Sequence, residues 1–245
     1  RHSISIDEWK YIETSMEDRI DDAGAVDYDD STWSDFKLWD TWGGYDRVAW
    51  FRTEVTIPKE LRGKELALRL VPGPRDGGGS TAEGLLYIDG VPVQAVDIWH
   101  EEVLLDQNIS SREKLCVALK VWSGVLKVPR MRTFKFAQLI ELDMKVDQFC
   151  FVVDTVRRCA VLLNEEDLRR IRLTQLLNDT FKKVNFLNYP EEEYYQSVYE
   201  ALDYIQGKLD ELAQFEEIKP KVYGVGHSHI DMAWLWRLNA TREKA

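Results

Sequence analysis

The sequence lacks the features of secreted, membrane-spanning and disulfide-stabilised proteins. It contains three cysteines in 245 residues (Cys116, Cys150 and Cys159) and no Cys-x-x-Cys pair. So low a number is typical of a reducing compartment and predicts a cytoplasmic location, although Cys150 and Cys159 could pair if they were oxidised. No apolar run approaches the ~20 residues of a membrane-spanning helix, and the residues after Arg1 form no signal-peptide core.

The sequence also lacks an excess of basic residues. Its 32 Lys and Arg are outnumbered by 43 Asp and Glu, which gives a formal net charge of -11. Because nucleic-acid phosphates need a basic surface, this balance argues against a nucleic-acid partner, and nothing indicates a membrane partner. A neutral ligand does not need a surface of either charge, so the negative net charge is compatible with one. The 44% hydrophobic and 31% charged contents are those of a globular protein with one or two domains.

Alternating apolar residues predict a β domain in the first part of the chain, from about Trp33 to Phe151. The alternating runs are Ala49, Phe51, Thr53, Val55 and Ile57; Leu66, Leu68 and Leu70; Leu86 and Ile88 followed by Val91 and Val93; Leu115, Val117, Leu119 and Val121; and Phe134, Phe136, Ile140 and Leu142. Asp89-Gly90 predicts a tight turn between two strands. Several short strands separated by turns are typical of a β-sandwich, and we predict a jelly-roll-like sandwich over residues 1–153.

After Phe151 the hydrophobic period changes and predicts a helical hairpin over residues 154–218. Asn164 is a candidate N-cap with Asp167 at the third position, and Pro190 begins the second helix. Apolar residues in that second helix step by three and four, at Tyr195, Val198, Leu202, Ile205, Leu209 and Leu212. This stripe is most simply the hairpin's own core. It could also dock a second protomer, which would make the protein a homo-oligomer.

Histidine and aspartate alternate in the segment that follows Gly226. Val222 to Val225 predicts a short buried strand, so residues 219–245 are predicted to begin an α/β domain. In an extended backbone His227, His229 and Asp231 point the same way. Imidazole nitrogens and carboxylate oxygens are the ligands that zinc accepts, and cobalt or another first-row ion fits nearly as well. The spacing therefore predicts part of a divalent-metal site.

The run from His227 to Trp236, His-Ser-His-Ile-Asp-Met-Ala-Trp-Leu-Trp, is followed by Thr241-Arg242-Glu243-Lys244. It resembles the opening motif of the catalytic domain of glycoside hydrolase family 38, the retaining α-mannosidases, and is closest to the bacterial and cytosolic type. In the β domain, Trp50-Phe51-Arg52 and Leu86-Tyr87-Ile88-Asp89-Gly90 resemble the galactose-binding-like jelly rolls attached to many glycosidases. They also resemble the β domain that precedes the catalytic barrel of bacterial α-mannosidases.

The resemblance implies a metal-dependent enzyme that hydrolyses terminal α-mannosyl residues of oligosaccharides. By that likeness His229 and Asp231 hold the divalent metal, His227 is a ligand or orients one, and Trp234 forms a wall of the mannose subsite. In the family the nucleophile, the acid/base and the remaining metal ligands lie further along the polypeptide. We therefore expect no catalytic carboxylate among these 245 residues, a truncated barrel domain, and no activity from the chain by itself.

Two other functions remain compatible with the sequence. The sandwich could be a carbohydrate-binding module, with a sugar-binding face lined by Trp33, Trp39, Trp42 and Trp50, although packing in the core explains these residues equally well. It could instead be a structural or oligomerisation domain of a glycosidase, which we favour for residues 1–218. A further cluster of ligand-type side chains, from Asp97 to Glu102, is better explained as a loop whose polar groups satisfy one another.

Overall fold

The structure, a computed structural model, describes residues 2–15, 20, 22–73, 82–125, 131–214, 221 and 223–226. Within them the chain forms two compact units that meet in sequence between Leu142 and Asp143. The first unit contains strands β1 to β12 and a short helix, α1, which spans Gln107–Ser110. The strands are Ser3–Ser5, Glu8–Ser15, Ser34–Lys37, Thr41–Gly43, Arg47–Thr56, Leu66–Val71, Glu83–Ile88, Val91–Val96, Glu102–Leu105, Lys114–Trp122, Met131–Thr133 and Phe136–Glu141.

Ten of these strands form two antiparallel sheets that share one core. The larger sheet has six strands in the order β3-β2-β5-β10-β7-β8, and the smaller has four in the order β1-β12-β6-β9. Strands β4 and β11 pair separately. Phe51 and Leu119 from the larger sheet and Leu68 and Leu139 from the smaller belong to a single cluster of buried apolar side chains. The structure is therefore a β-sandwich, as the alternating runs predict.

The predicted turn at Asp89-Gly90 is confirmed. It joins β7 to β8, and both residues have positive φ, 50° for Asp89 and 82° for Gly90. A two-residue loop with two left-handed residues matches the twist of the flanking strands. The β pattern was predicted to begin at about Trp33, however, and this is too late, because strands β1 and β2 precede that residue. Strand β2 places Trp9 in the core but alternates it with Glu8 and Lys10, so few of its residues are apolar.

The predicted strand face of β12 is wrong. The sequence suggested that Phe134, Phe136 and Ile140 share one face, whereas the core side of β12 carries Ala137 and Leu139. Phe134 is buried just before the strand begins, and Phe136 and Ile140 lie on the outward face. Apolar residues on both faces remove the alternation that would have fixed the register, and a shift of one residue exchanges the faces.

The second unit differs from the prediction in two respects. It begins before the predicted boundary at 153/154, and it is not a two-helix hairpin. It contains three helices, α2 (Met144–Leu162), α3 (Leu168–Phe181) and α4 (Glu192–Ala213), with a short 3-10 turn at Phe186–Asn188. Helix α2 begins at Met144, ten residues before the predicted start at residue 154. Asp143 caps it, with its Oδ1 accepting from the backbone N–H groups of Lys145 and Val146 at 3.2 Å each. The N-cap of α3 is Asp167 and not Asn164.

The predicted stripe of α4 lies in the core of this helical unit. Val198, Leu202 and Ile205 are buried in a cluster that also contains Phe149 and Leu176, from α2 and α3. The simpler interpretation of the stripe is therefore confirmed, and homo-oligomerisation stays a prediction. No helix among the described residues is long and apolar enough to cross a membrane.

The structure excludes the disulfide that the sequence left open. Cys150 and Cys159 both belong to α2, nine residues apart. A helix rises about 1.5 Å per residue, which separates their Cα atoms by roughly 13 Å along the axis, and a disulfide tolerates no more than about 7 Å. All three cysteines are free thiols.

Candidate functional site

The predicted metal motif lies outside the described residues. His227, His229, Asp231 and Trp234 all follow Gly226, where the described part of the chain ends. The strand predicted to lead into the motif is not formed by the residues that are described, because Tyr223 and Val225 are 83% and 85% exposed and belong to no strand.

The cluster from Asp97 to Glu102 is a self-satisfied loop, as the sequence favoured. Asp97 Oδ1 accepts hydrogen bonds from the backbone N–H groups of Trp99 at 2.7 Å and His100 at 2.8 Å, and lies 2.9 Å from His100 Nδ1. Glu101 is buried, with Oε2 3.4 Å from Arg69 Nη2. In the ranges that the structure describes, no three His, Cys, Asp or Glu side chains converge as metal ligands.

Three of the four tryptophans that could have lined a sugar-binding face are packing residues. Trp42 is fully buried in the sandwich core and donates from Nε1 to the carbonyl oxygen of Pro72 at 2.7 Å. Trp33 and Trp50 are buried in a second, smaller cluster with Ala23 and Ala118. The carbohydrate-binding hypothesis is therefore wrong for these three side chains. The fourth, Trp39, is 62% exposed.

Trp39 forms an exposed aromatic pair with Phe136. Their ring centroids lie 5.9 Å apart with the planes at 72°. Trp39 has a φ of 75°, which is rare for a bulky residue, and its backbone N–H donates to the carbonyl oxygen of Phe134 at 2.8 Å. The turn around it is closed by Asp40 Oδ2, which accepts from the N–H of Lys37 at 2.9 Å. These bonds fix the backbone of the turn, which directs the Trp39 side chain away from the core.

A row of polar side chains crosses the outward face of the four-stranded sheet beside this pair. The strand register aligns Ser5 with Gln138, Gln138 with Arg69, and Arg69 with Glu102. The Arg69 guanidinium carbon lies 5.5 Å from the centre of the Phe136 ring, which joins the row to the aromatic pair. We call Trp39, Phe136 and this row the open face.

The outward face of the six-stranded sheet is different because residues 22–33 cover it. Arg52 projects from β5 under this cover, and its Nε donates to Asp30 at 2.9 Å. Its Nη1 donates to the carbonyl oxygens of Ala23 at 2.5 Å and Ala25 at 2.9 Å, and Nη2 lies 3.6 Å from Cys116 Sγ. Burial raises the pKa of the Cys116 thiol, against the opposing effect of the Arg52 charge. We call this region the closed face.

A surface depression of about 660 Å³ adjoins the closed face, with Arg52 and Tyr28 in its wall. Its charged rim is internally paired. Lys10 Nζ lies 2.7 Å from Asp35 Oδ1, and this hydrogen bond raises the pKa of Lys10 and lowers that of Asp35. Arg52 and Lys10 already have partners within the protein. These two side chains of the depression are therefore not available to bind a ligand.

The sequence signal that could have revealed these arginines is charge within apolar strands. Arg69 is the one charged residue in Leu66–Val71, and Arg52 follows the apolar run from Val48 to Phe51. Each lies at an outward position. The alternation identifies that position, but it does not say whether another part of the chain covers it.

The chain matches a known family over its sandwich, and one curated relative over nearly its whole length. Residues 4–120 match the family described as the jelly roll domain of α-mannosidase. α-Mannosidase G of Dictyostelium discoideum is 20% identical over 259 aligned residues, which cover 98% of this chain and 22% of that protein. The chain thus spans about a fifth of the length of that relative.

Among solved structures the chain is similar to part of several β-glucuronidases and of a β-glycosidase. A β-glucuronidase from Bacteroides uniformis is 18% identical with a TM-score of 0.42, covering 56% of this chain and 17% of that one. A β-glucuronidase from Ruminococcus gnavus is 16% identical with a TM-score of 0.40, covering 58% and 30%. These scores are too low to establish a shared fold.

Proposed function

We propose that the chain, whose residues 4–120 match the family described as the jelly roll domain of α-mannosidase, supplies the sandwich domain and the first metal-ligand motif of a retaining α-mannosidase. The observation that carries the proposal is the occurrence of two separate signals in one sequence. The family match covers the sandwich, and the His227-to-Trp236 motif lies well beyond the matched residues. A glycosidase domain suggests a carbohydrate substrate, and the motif narrows the proposal to mannose-containing oligosaccharides.

His229 and Asp231 are the proposed ligands of a divalent metal, zinc or cobalt. Their imidazole and carboxylate donors fit such an ion, and His227 would coordinate it or hold a ligand in place. The ion would supply positive charge that grips sugar hydroxyls and favours the distorted, charge-bearing transition state. Trp234 would pack against the sugar ring and exclude water from it.

Retaining hydrolysis requires two carboxyl groups about 5 Å apart, one as nucleophile and one as acid/base. The family resemblance assigns neither of them to a residue of this chain. We therefore propose that the 245 residues by themselves do not hydrolyse mannosides. Their role would be structural, and the burial of Trp33, Trp42 and Trp50 supports a scaffold.

Metal uptake tests the ligand assignment without relying on catalysis. The chain would be dialysed against zinc, and in parallel against cobalt, and its metal content measured by elemental analysis. We expect weak, saturable uptake that a His229→Ala/Asp231→Ala double variant loses, because sites in proteins normally use three or four ligands. A His100→Ala variant is the matched control, since its histidine contacts Asp97 instead. Equal uptake by the double variant and the control would refute the assignment.

Hydrolysis of nitrophenyl α-mannoside tests the enzymatic part of the proposal. The chain alone should show no turnover with either metal. In a protein that joins this chain to a domain carrying the two catalytic carboxyl groups, the same double variant should lose at least about a hundredfold in kcat/KM, since the ligands would be gone altogether. Full activity of that variant would exclude the proposed metal site, and turnover by the chain alone would exclude the scaffold role.

A further inference from the structure

We propose that the open face of the four-stranded sheet is a glycan-binding platform, in which Trp39 stacks on a sugar ring, Phe136 supports Trp39 edge-on, and the row from Ser5 to Glu102 binds the hydroxyl groups of the sugar. This site is separate from the proposed metal motif. It depends on the proposed function only for the class of ligand.

The first support is the position of Trp39. Single exposed apolar side chains are common on protein surfaces, but Trp39 adjoins the exposed ring of Phe136, and contiguous exposed apolar groups are candidates for binding. Trp39 keeps a left-handed backbone conformation, with φ of 75°, and strain of this kind persists only where surrounding bonds enforce it. The hydrogen bond from its N–H to Phe134 provides that enforcement. A rigid indole loses little conformational entropy on binding, which favours association.

The second support is the chemistry of the row. Gln138, Arg69 and Glu102 offer an amide, a guanidinium and a carboxylate on three adjacent strands. The Ser5 hydroxyl on the fourth strand donates to Asp7, so it can offer a ligand only its acceptor capacity. Strands lie about 4.8 Å apart, so the row extends roughly 14 Å, a length suited to a short oligosaccharide. Alternating donors and acceptors beside an apolar ring are what a sugar requires, because it presents hydroxyls at its rim and C–H groups on its faces.

The third support is the orientation of Arg69. Its guanidinium lies over the Phe136 ring at 5.5 Å and within 3.4 Å of Glu101, whose side chain is buried. Arg69 is 38% exposed and so remains accessible to a ligand. The row contains more polar than apolar side chains, and this composition favours a hydroxylated ligand over a docked protein, for which a larger apolar core is typical.

The test is a binding experiment with the 245-residue chain. Mannobiose, mannotriose and cellobiose would be titrated by calorimetry and by ligand-observed NMR. The Trp39→Gly variant removes the ring, and glycine tolerates a φ of 75°, so the backbone is not strained by the change. Glu102→Ala removes an exposed member of the row, and Phe151→Ala is the control, an exposed aromatic on α2 in the other unit.

The proposal predicts saturable binding of at least one of the three sugars, weakened about tenfold by Trp39→Gly, to a smaller extent by Glu102→Ala, and not by Phe151→Ala. The titrations are made in buffer containing a metal chelator, so that any binding observed does not depend on an ion at the proposed metal motif. The proposal is overturned if no sugar binds, or if Trp39→Gly binds as well as the control. It is also overturned if sedimentation instead shows self-association that Trp39→Gly abolishes and no sugar binds.

Discussion

The two outward faces of the sandwich carry the same residue types and use them differently. On the closed face Trp50 is 5% exposed and the Arg52 side chain is also 5% exposed. On the open face the corresponding values are 62% for Trp39 and 38% for Arg69. Residues 22–33 account for the difference, because they lie over one sheet and contribute Ala23 and Trp33 to its second cluster.

The difference shows that the covering segment, and not the residue type, decides whether a side chain is available. Arg52 donates to a carboxylate and two carbonyl oxygens under the cover, so its capacity is used by the fold. Arg69 has one carboxylate at 3.4 Å and an aromatic ring beside it. A structural role for the closed face and a binding role for the open face follow from this contrast.

The largest effect should come from removing a ring on the closed face. Trp50 packs on Tyr87, with ring centroids 5.4 Å apart, and Trp50→Ala should lower the free energy of unfolding by about 3–5 kcal/mol. Trp39→Ala should cost less than about 1 kcal/mol, because little buried area is lost. Urea unfolding followed by tryptophan fluorescence reports mainly on the sandwich, because seven of the nine tryptophans lie in residues 1–142 and residues 143–226 contain none. Equal losses in the two variants would contradict the distinction between the faces.

A smaller loss in the free energy of unfolding is expected when Arg52 or Arg69 is replaced. Arg52→Met leaves Asp30 and two carbonyl oxygens without their donor, and should cost about 3 kcal/mol. Arg69→Met removes one long contact, 3.4 Å, between a partly exposed arginine and the buried Glu101, and should cost about 1–2 kcal/mol. The same unfolding experiment applies. A cost for Arg69→Met as large as that for Arg52→Met would mean that the open face also holds the fold together.

The reactivity of the three cysteine thiols measures how well the closed face is protected from solvent. Burial raises the pKa of Cys116, so at pH 8 less of it is thiolate than in an exposed cysteine. Cys150 and Cys159 are exposed on α2. Iodoacetamide labelling read by peptide mass spectrometry should therefore modify Cys116 about tenfold more slowly than either of them. Raising the pH should narrow the gap as the Cys116 thiol ionises. Labelling of all three at one rate would show that the closed face does not protect its thiol.

Local patterns predicted the sandwich well because its strands obey them. The alternation at Ala49, Phe51 and Val55 and the Asp89-Gly90 turn are local signals, and the structure agrees with both. The face of β12 was assigned wrongly because Phe136 and Ile140 are apolar on the outward side. The start of α2 was missed because its cap, Asp143, follows a strand directly and the valines after it also suit a strand.

The candidate site was less predictable because exposure depends on contacts distant in sequence. From the sequence, Trp33, Trp39, Trp42 and Trp50 were equally good candidates for a sugar-binding face. Trp42 is buried through its bond to Pro72, thirty residues away, and Trp33 through its packing with Trp50 and Ala118. No local pattern encodes such pairings. The metal motif is the opposite case, since its spacing is local and its assignment to His229 and Asp231 stays a prediction.

The smallest effect, and the sharpest test of the open face, is a difference between glycine and alanine. At a φ of 75° a left-handed residue with a Cβ costs about 1 kcal/mol, which Trp39→Gly relieves and Trp39→Ala keeps. Glycine also loses about 0.5–1 kcal/mol through the entropy of the unfolded chain, so Trp39→Gly should be as stable as Trp39→Ala within about 0.5 kcal/mol.

Trp99 is the matched control, because it is also exposed but its φ is not positive. There alanine should be more stable than glycine by about 0.5–1 kcal/mol, since glycine relieves no strain at that position. Fluorescence-detected urea unfolding of the four variants measures both differences. The same deficit of glycine relative to alanine at both positions would show that the backbone at Trp39 is not strained. The indole would then not be held outward by the turn, and the contrast between the faces would lose its structural cause.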